Sequence, residues 1–234
     1  MTLPVGSVAL VLHLPGGVAR VPCIVACHGL RASKDSDKYL LLGEECVRVG
    51  CALARFDFRG SGESAGLTEA ETTVASRVAD ALAVIAFLRE RPRLDGRFGL
   101  LGSSMGGFVA LHARHALGES VPVVTWNAPA DLAKLAASVA FEDTGLGAPF
   151  LSEFSTGRYG EAPAGLDRHF VIQSEADETV ALDHGLALHA RAREPRDPLV
   201  ISGGDHRITD PDHRRQAVAR SLAWFARHLG ASDG

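Results

Sequence analysis

Phe98-Gly-Leu-Leu-Gly-Ser-Ser-Met-Gly-Gly107 is a short apolar run that stops at a cluster of glycines and serines, and a helix-like segment, Phe108 to Leu117, follows at once. The spacing Gly102-x-Ser104-x-Gly106 between a strand and a helix describes a turn tight enough to hold a serine hydroxyl clear of the backbone. Such a turn needs glycine at its flanks, because a Cβ there would meet the strand or the helix. The serine at the corner sits in a strained backbone region, at a cost of about 1–3 kcal/mol. The same pattern recurs at Gly62-Glu-Ser-Ala-Gly66. Ser64, however, lies several residues beyond the nearest apolar run, Cys51 to Phe56, and no helix receives it until about Thr68. Ser104 is therefore the candidate nucleophile.

Working outward, the chain reads as strands alternating with helices. Ser7 to Leu14 and Ala19 to Ala26 read as strands joined at Pro15-Gly16-Gly17, a hairpin signal. Lys38 to Val49 is apolar at helical spacing and closed by Gly50. Cys51 to Phe56 is a buried strand, followed by the glycine-rich loop Asp57 to Ser64. Thr68-Glu-Ala-Glu71 is a capping box, opening a helix with Val74, Val78, Leu82 and Ile85 on one face. Val121 to Trp126 and His169 to Gln173 are further strands. A helix over Val180 to Ala192, a last strand over Asp197 to Ile201 and a closing helix over Asp210 to Leu229 complete the order. This pattern predicts an α/β fold: a mostly parallel sheet with helices on both faces and antiparallel strands at one edge. Residues 127 to 166, rich in proline, glycine and aromatic residues, are too long for an ordinary connection and are expected to form a small cap excursion on one domain spanning 1–234.

Composition narrows the function. The chain has 234 residues, 46% of them hydrophobic and 22% charged, with a formal charge of −4. No basic block is present, so no nucleic-acid partner is expected. No apolar run approaches the roughly 18 residues of a membrane span, so no membrane partner is expected either. Met1-Thr-Leu-Pro-Val-Gly carries no charged leader, and the four cysteines (Cys23, Cys27, Cys46, Cys51) have no regular spacing. Free thiols and a reducing cytoplasm are the expectation. No phosphate-binding G-x-x-x-x-G-K-[ST] and no zinc-binding H-E-x-x-H occur, and no cofactor or metal is expected.

In open α/β sheets, chemistry gathers at the carboxyl ends of the strands. A serine hydroxyl needs a base within hydrogen-bond reach, and the base needs a group that holds its tautomer. Of ten histidines, only His206 falls in the loop after the last strand, with His213 next. His112 and His115, with Arg114 between them, read as a solvated helix face. The orienting carboxylate should follow the strand ending at Gln173, where Asp177 is preferred, Glu175 is second and Glu178 is also present. Donors for a developing oxyanion are expected from the amides of Met105 and of Leu30, in His28-Gly29-Leu30.

With these residues in place, the chain resembles the α/β-hydrolase family over nearly its whole length. His28-Gly-Leu30, Asp57-Phe-Arg-Gly-Ser-Gly-Glu-Ser64, Gly102-Ser-Ser-Met-Gly-Gly107, Asp177 and Asp205-His206 carry the resemblance in order and spacing. Within the family it is similar to compact bacterial hydrolases related to cinnamoyl and feruloyl esterases and to dienelactone hydrolases. Ser103 departs from the histidine that many relatives carry, and the 127–166 excursion is shorter than many lipase lids. The resemblance implies a serine hydrolase of a small carboxylic ester or thioester, monomeric or homodimeric, with Ser104 as nucleophile, His206 as base and Asp177 as its orienter. His28, Arg31, Trp126, Phe141 and Phe150 are the candidate substrate contacts. An amidase, peptidase or acyltransferase with the same three groups, or a binding protein that kept the fold, are the alternatives.

Overall fold

The computed structural model of the chain describes residues 2–3, 6–17, 19–136, 146–155 and 157–230. Its elements run β1 (Thr2–Leu3), β2 (Gly6–Ser7), β3 (Leu10–His13), β4 (Val21–Cys27), α1 (Asp37–Arg48), β5 (Ala52–Phe56), α2 (Val74–Arg89), β6 (Leu94–Ser103), α3 (Met105–Leu117), β7 (Val123–Trp126), α4 (Leu132–Ala136), α5 (Ala148–Ser155), β8 (His169–Ser174), α6 (Leu182–Arg191), β9 (Arg196–Ile201) and α7 (Pro211–Leu229). Seven strands form one sheet in the order β3-β5-β4-β6-β7-β8-β9. Only β3, paired with β5, is antiparallel.

The expected hairpin between the first two long strands does not form. Both edges of β4 are taken by parallel neighbours: Ile24 stands opposite Leu53 on β5 and opposite Gly99 on β6. With its backbone donors and acceptors satisfied on both sides, β4 has no edge left for β3. The incoming chain therefore pairs with the outer side of β5, Leu10 against Phe56, and becomes the antiparallel sheet edge.

The central strands are buried on both faces, and successive side chains divide between them with period two. Cys23, Val25 and Cys27 join the apolar cluster built with α2 and α3, whereas Ile24 and Ala26 join the one built with α1 and α7. All four cysteines are free and buried. On α7, Val218, Leu222 and Phe225 are buried as the periodicity required.

Two local readings change. The Thr68–Glu71 capping box closes a single 3₁₀ turn, Glu69–Glu71, while α2 begins at Val74 under its own cap, Thr73 with Ser76. Of His112, Arg114 and His115 on α3, only His115 is exposed. Arg114 is buried, donating to the Val121 carbonyl at 2.7 Å and to Asp167 at 2.7 Å. His112 packs between the rings of Phe108 and Tyr159.

Candidate active site

Strand β6 ends at Ser103 and helix α3 begins at Met105, leaving Ser104 on the corner with φ 55° and ψ −129°. A positive φ is uncommon outside glycine, so the corner is strained. It is held by the Ser104 amide, which donates to the Trp126 carbonyl at 2.8 Å, and by the Ser104 carbonyl, which accepts from the Gly107 amide at 2.9 Å. The glycines are required by contact: a Cβ on Gly102 would run into the Gly106 carbonyl, and one on Gly106 into the Cys27 carbonyl.

Three side chains from different strand ends meet here. His206 Nε2 lies 3.1 Å from Ser104 Oγ. On the other side of the ring, Nδ1 lies 2.8 Å from Asp177 Oδ2 and 2.9 Å from Oδ1. The Asp177 side chain is fully buried. Its Oδ1 accepts from the amides of Thr179 at 2.9 Å and Val180 at 2.7 Å, which fixes the carboxylate where the chain turns towards α6. The two other acids of this loop have different work. Glu175 accepts from Ser202 Oγ at 2.6 Å and from the Gly203 amide at 3.0 Å, and Glu178 accepts from the His206 amide at 3.2 Å. Both brace the histidine loop without reaching its ring.

Ser64 serves the fold. Its hydroxyl donates to the Asp57 carbonyl at 2.6 Å and accepts from the Ala9 amide at 2.9 Å. Asp57 itself is buried, accepting from the amides of Lys34 at 2.7 Å and Glu63 at 3.0 Å and pairing with Lys34 Nζ at 3.1 Å.

The loop after β4 lies against the corner, since a Cβ on Gly29 would come 3.2 Å from Ser104 Cβ. Leu30 and Met105 line the same cleft, about 670 Å³, as Ser104 and His206. Neither of their amides takes a hydrogen-bond acceptor among the described residues. Behind the loop stands His28, 1% exposed. Its Nε2 accepts from the Phe58 amide at 3.1 Å, which leaves Nδ1 to donate to the Gly29 carbonyl at 2.7 Å. Burial pushes its pKa down to about 4. The ring is a neutral strut that shapes the loop.

Of the expected substrate contacts, Arg31 lines the cleft. His28 is behind it. Trp126 is fully buried in the α1/α7 cluster, donating from Nε1 to Ser221 Oγ at 3.0 Å. Its place on β7 points the indole to the face of the sheet where α7 packs. Phe150 is fully buried in the α2/α3 cluster. Phe141 lies outside the described residues.

Two residues with a clear place in the site were not singled out by sequence. Asn127, buried just after β7 with φ 50°, accepts from the Ser174 amide at 2.7 Å. The two N–H groups of its Nδ2 are shared among Ser174 Oγ at 3.0 Å and the carbonyls of Asp205 at 3.2 Å and His206 at 2.9 Å. The signal available was an asparagine directly after a buried strand, a residue that tolerates the left-handed region. Lys38 is the other: its Nζ donates to Ser103 Oγ at 2.7 Å on the cleft floor. A second cavity, about 710 Å³ between α1 and α7, contains none of these groups. Among the described residues, no group of three or more His, Cys, Asp or Glu could hold a metal ion, and no helix is long and apolar enough to cross a membrane.

A mostly parallel sheet, a strained serine at a strand-to-helix corner and an imidazole within reach define an α/β-hydrolase serine hydrolase. The chain belongs to the family described as serine aminopeptidase, S33, whose model matches residues 20–142. It is similar to the mitochondrial palmitoyl-protein thioesterase ABHD10 of Homo sapiens, 36% identical over 100 residues, which are 43% of this chain and 31% of that protein. The match thus spans less than a third of that relative's length. Among solved structures, it resembles mouse alpha/beta hydrolase domain-containing protein 10 with a TM-score of 0.74, 21% identity and 96% of each chain covered. It also resembles XC6422 from Xanthomonas campestris, described as an a/b serine hydrolase without lid. There the TM-score is 0.71 at 21% identity, covering 98% of this chain and 93% of that one.

Proposed function

We propose that this hydrolase cleaves a small carboxylic ester or thioester through an acyl-enzyme on Ser104. The observation that carries the reading is the unbroken relay from Asp177 through His206 to Ser104, with contacts of 2.8 and 3.1 Å. His206 Nε2 takes the hydroxyl proton as Ser104 Oγ attacks the carbonyl carbon. Asp177 keeps the ring proton on Nδ1 and stabilises the imidazolium. The amides of Leu30 and Met105 donate to the oxyanion. His206 then protonates the leaving alkoxide or thiolate, activates a water molecule, and the acid is released. Membership of a hydrolase family and the similarity to a thioesterase support this reading and favour including thioesters. A small-molecule substrate, a monomer or homodimer and a cytoplasmic setting complete the proposal.

The test is hydrolysis of a short p-nitrophenyl ester. Replacing Ser104 by Ala should lower kcat by about 10³-fold or more, and full retention of activity would refute the assignment. The family's description brings in a second reading, amide-bond cleavage by the same groups. Matched ester, thioester and aminoacyl-amide substrates separate the two.

A further inference from the structure

The chain carries a formal charge of −4, yet Arg31, Lys38, Arg207 and Arg214 converge on the cleft that holds Ser104, against the carboxylates of Asp37 and Glu178. Among the described residues, only Arg214 of the four has a carboxylate within ion-pair distance, Asp37 at 3.6 Å. Glu178 is turned to the His206 amide.

Lys38 is the innermost of the four. Its hydrogen-bond partner, the Ser103 hydroxyl, sits one residue before the nucleophile and carries no charge. Burial, with repulsion from Arg214 and Arg207, pushes the ammonium down to about 8, while Asp205 opposes the shift. Below that pH the group is a half-buried cation with no carboxylate within ion-pair distance among the described residues, an arrangement that favours an incoming anion. Low-dielectric walls also strengthen its attraction for one. Arg31 stands at the mouth with φ 51°, a left-handed value that a non-glycine residue rarely adopts. Strain of that kind gathers where a side chain must be aimed. The guanidinium groups of Arg31 and Arg207 offer paired N–H donors that match carboxylate and phosphate oxygens.

We propose that this cationic lining is the recognition site for an acid group, carboxylate or phosphate, carried by the substrate, so that the preferred ester or thioester is anionic. The inference rests on the serine-hydrolase reading above. An anion held by Lys38, Arg31 and Arg207 anchors the substrate beside Ser104, and its position sets which carbonyl is presented to Oγ.

Two matched pairs of substrates test this. On the acyl side, p-nitrophenyl hydrogen glutarate is compared with p-nitrophenyl pentanoate. On the leaving-group side, butyryl coenzyme A, which carries phosphates, is compared with the neutral butyryl-N-acetylcysteamine. At least one anionic member should exceed its neutral partner in kcat/KM by about tenfold or more at low salt, and the advantage should shrink as salt rises. The pair that shows it identifies which side bears the acid. The ratio should fall severalfold in Lys38→Met, which keeps the apolar stem. It should fall likewise in the surface double variant Arg31→Gln/Arg207→Gln, an independent check should the Lys38 change disturb the fold. A neutral preference in both pairs, or an anionic preference that survives both variants, overturns the inference. Neutral-ester turnover that disappears in Ser104→Ala tests the hydrolase reading separately. If that turnover is present without anionic preference, only the present inference fails, whereas no turnover of any member removes both.

Discussion

Replacing Asn127 by Ala should damage the site from behind. Its side chain has four hydrogen-bond contacts, at 2.7, 2.9, 3.0 and 3.2 Å, the last three sharing the two N–H groups of Nδ2, and they tie β8 at Ser174 to the backbone of Asp205 and His206. Two donated bonds and one accepted bond, at about 1 kcal/mol net each, amount to roughly 3 kcal/mol. The backbone adds to this, because φ is 50° and alanine bears that conformation at a cost of about 1 kcal/mol. A total of roughly 4 kcal/mol is a large part of the stability of a domain this size. In the molecules still folded, the Asp205 and His206 carbonyls lose their side-chain donor, and a displacement of about 1 Å at the base can cost on the order of 10²-fold in rate. The assay has two arms, urea unfolding for the stability term and labelling by a fluorophosphonate at low temperature, per folded molecule, for the rate term. Asn127→Asp separates the contributions. It keeps the volume and the acceptor for the Ser174 amide, but sets a carboxylate against two carbonyls, so it should slow labelling nearly as much as Ala. If Asn127→Ala loses less than about 1 kcal/mol and labels at the parental rate, the claim that this residue holds the histidine loop is wrong.

Three further outcomes follow from the same geometry. His28 is buried and its pKa is pushed from 6.5 down to about 4. The unfolded chain therefore binds this proton first, and stability contributed by the neutral ring, about 3 kcal/mol, is present above pH 6.5 and lost as pH falls towards 4. Urea unfolding at pH 7.5 and 4.5 should show the decline, and His28→Gln should show less of it. Gly106→Ala, whose added methyl collides with the Cys27 carbonyl, should destabilise by about 1–3 kcal/mol or more and depress activity in the folded fraction. Thermal denaturation that is unchanged would contradict the packing described for the corner. Asp57→Ala, which removes the buried one of three carboxylates on the Lys34 ammonium and the acceptor of the Lys34 and Glu63 amides, should cost roughly 2–3 kcal/mol, whereas Ser64→Ala should leave hydrolysis near the parental rate.

What sequence could reveal here followed the range of each interaction. The strand-to-helix corner at Ser104 was legible because its glycines answer to contacts a few residues away. The positions of His206 and Asp177 were legible because alternating strands and helices place their loops at one sheet end. Strand partnership was not. That β3 pairs with β5 depends on β4 having both edges filled, a fact about strands far apart in the chain. The aromatic residues misled for a similar reason. Trp126 and Phe150 carry the composition of a substrate pocket, but which face of a doubly covered sheet a side chain meets depends on strand register and helix docking. Lys38 was hidden by its setting in the first turn of a helix, where a lysine ordinarily faces solvent. Only the fold brings its ammonium to Ser103.

The most direct test of the central claim is to label the intact protein with a fluorophosphonate and locate the adduct by peptide mass spectrometry. A single adduct on Ser104, formed slowly or not at all in His206→Ala and Asp177→Ala, is the result predicted. Absence of any adduct, or an adduct on Ser64 with Ser104 untouched, would contradict it.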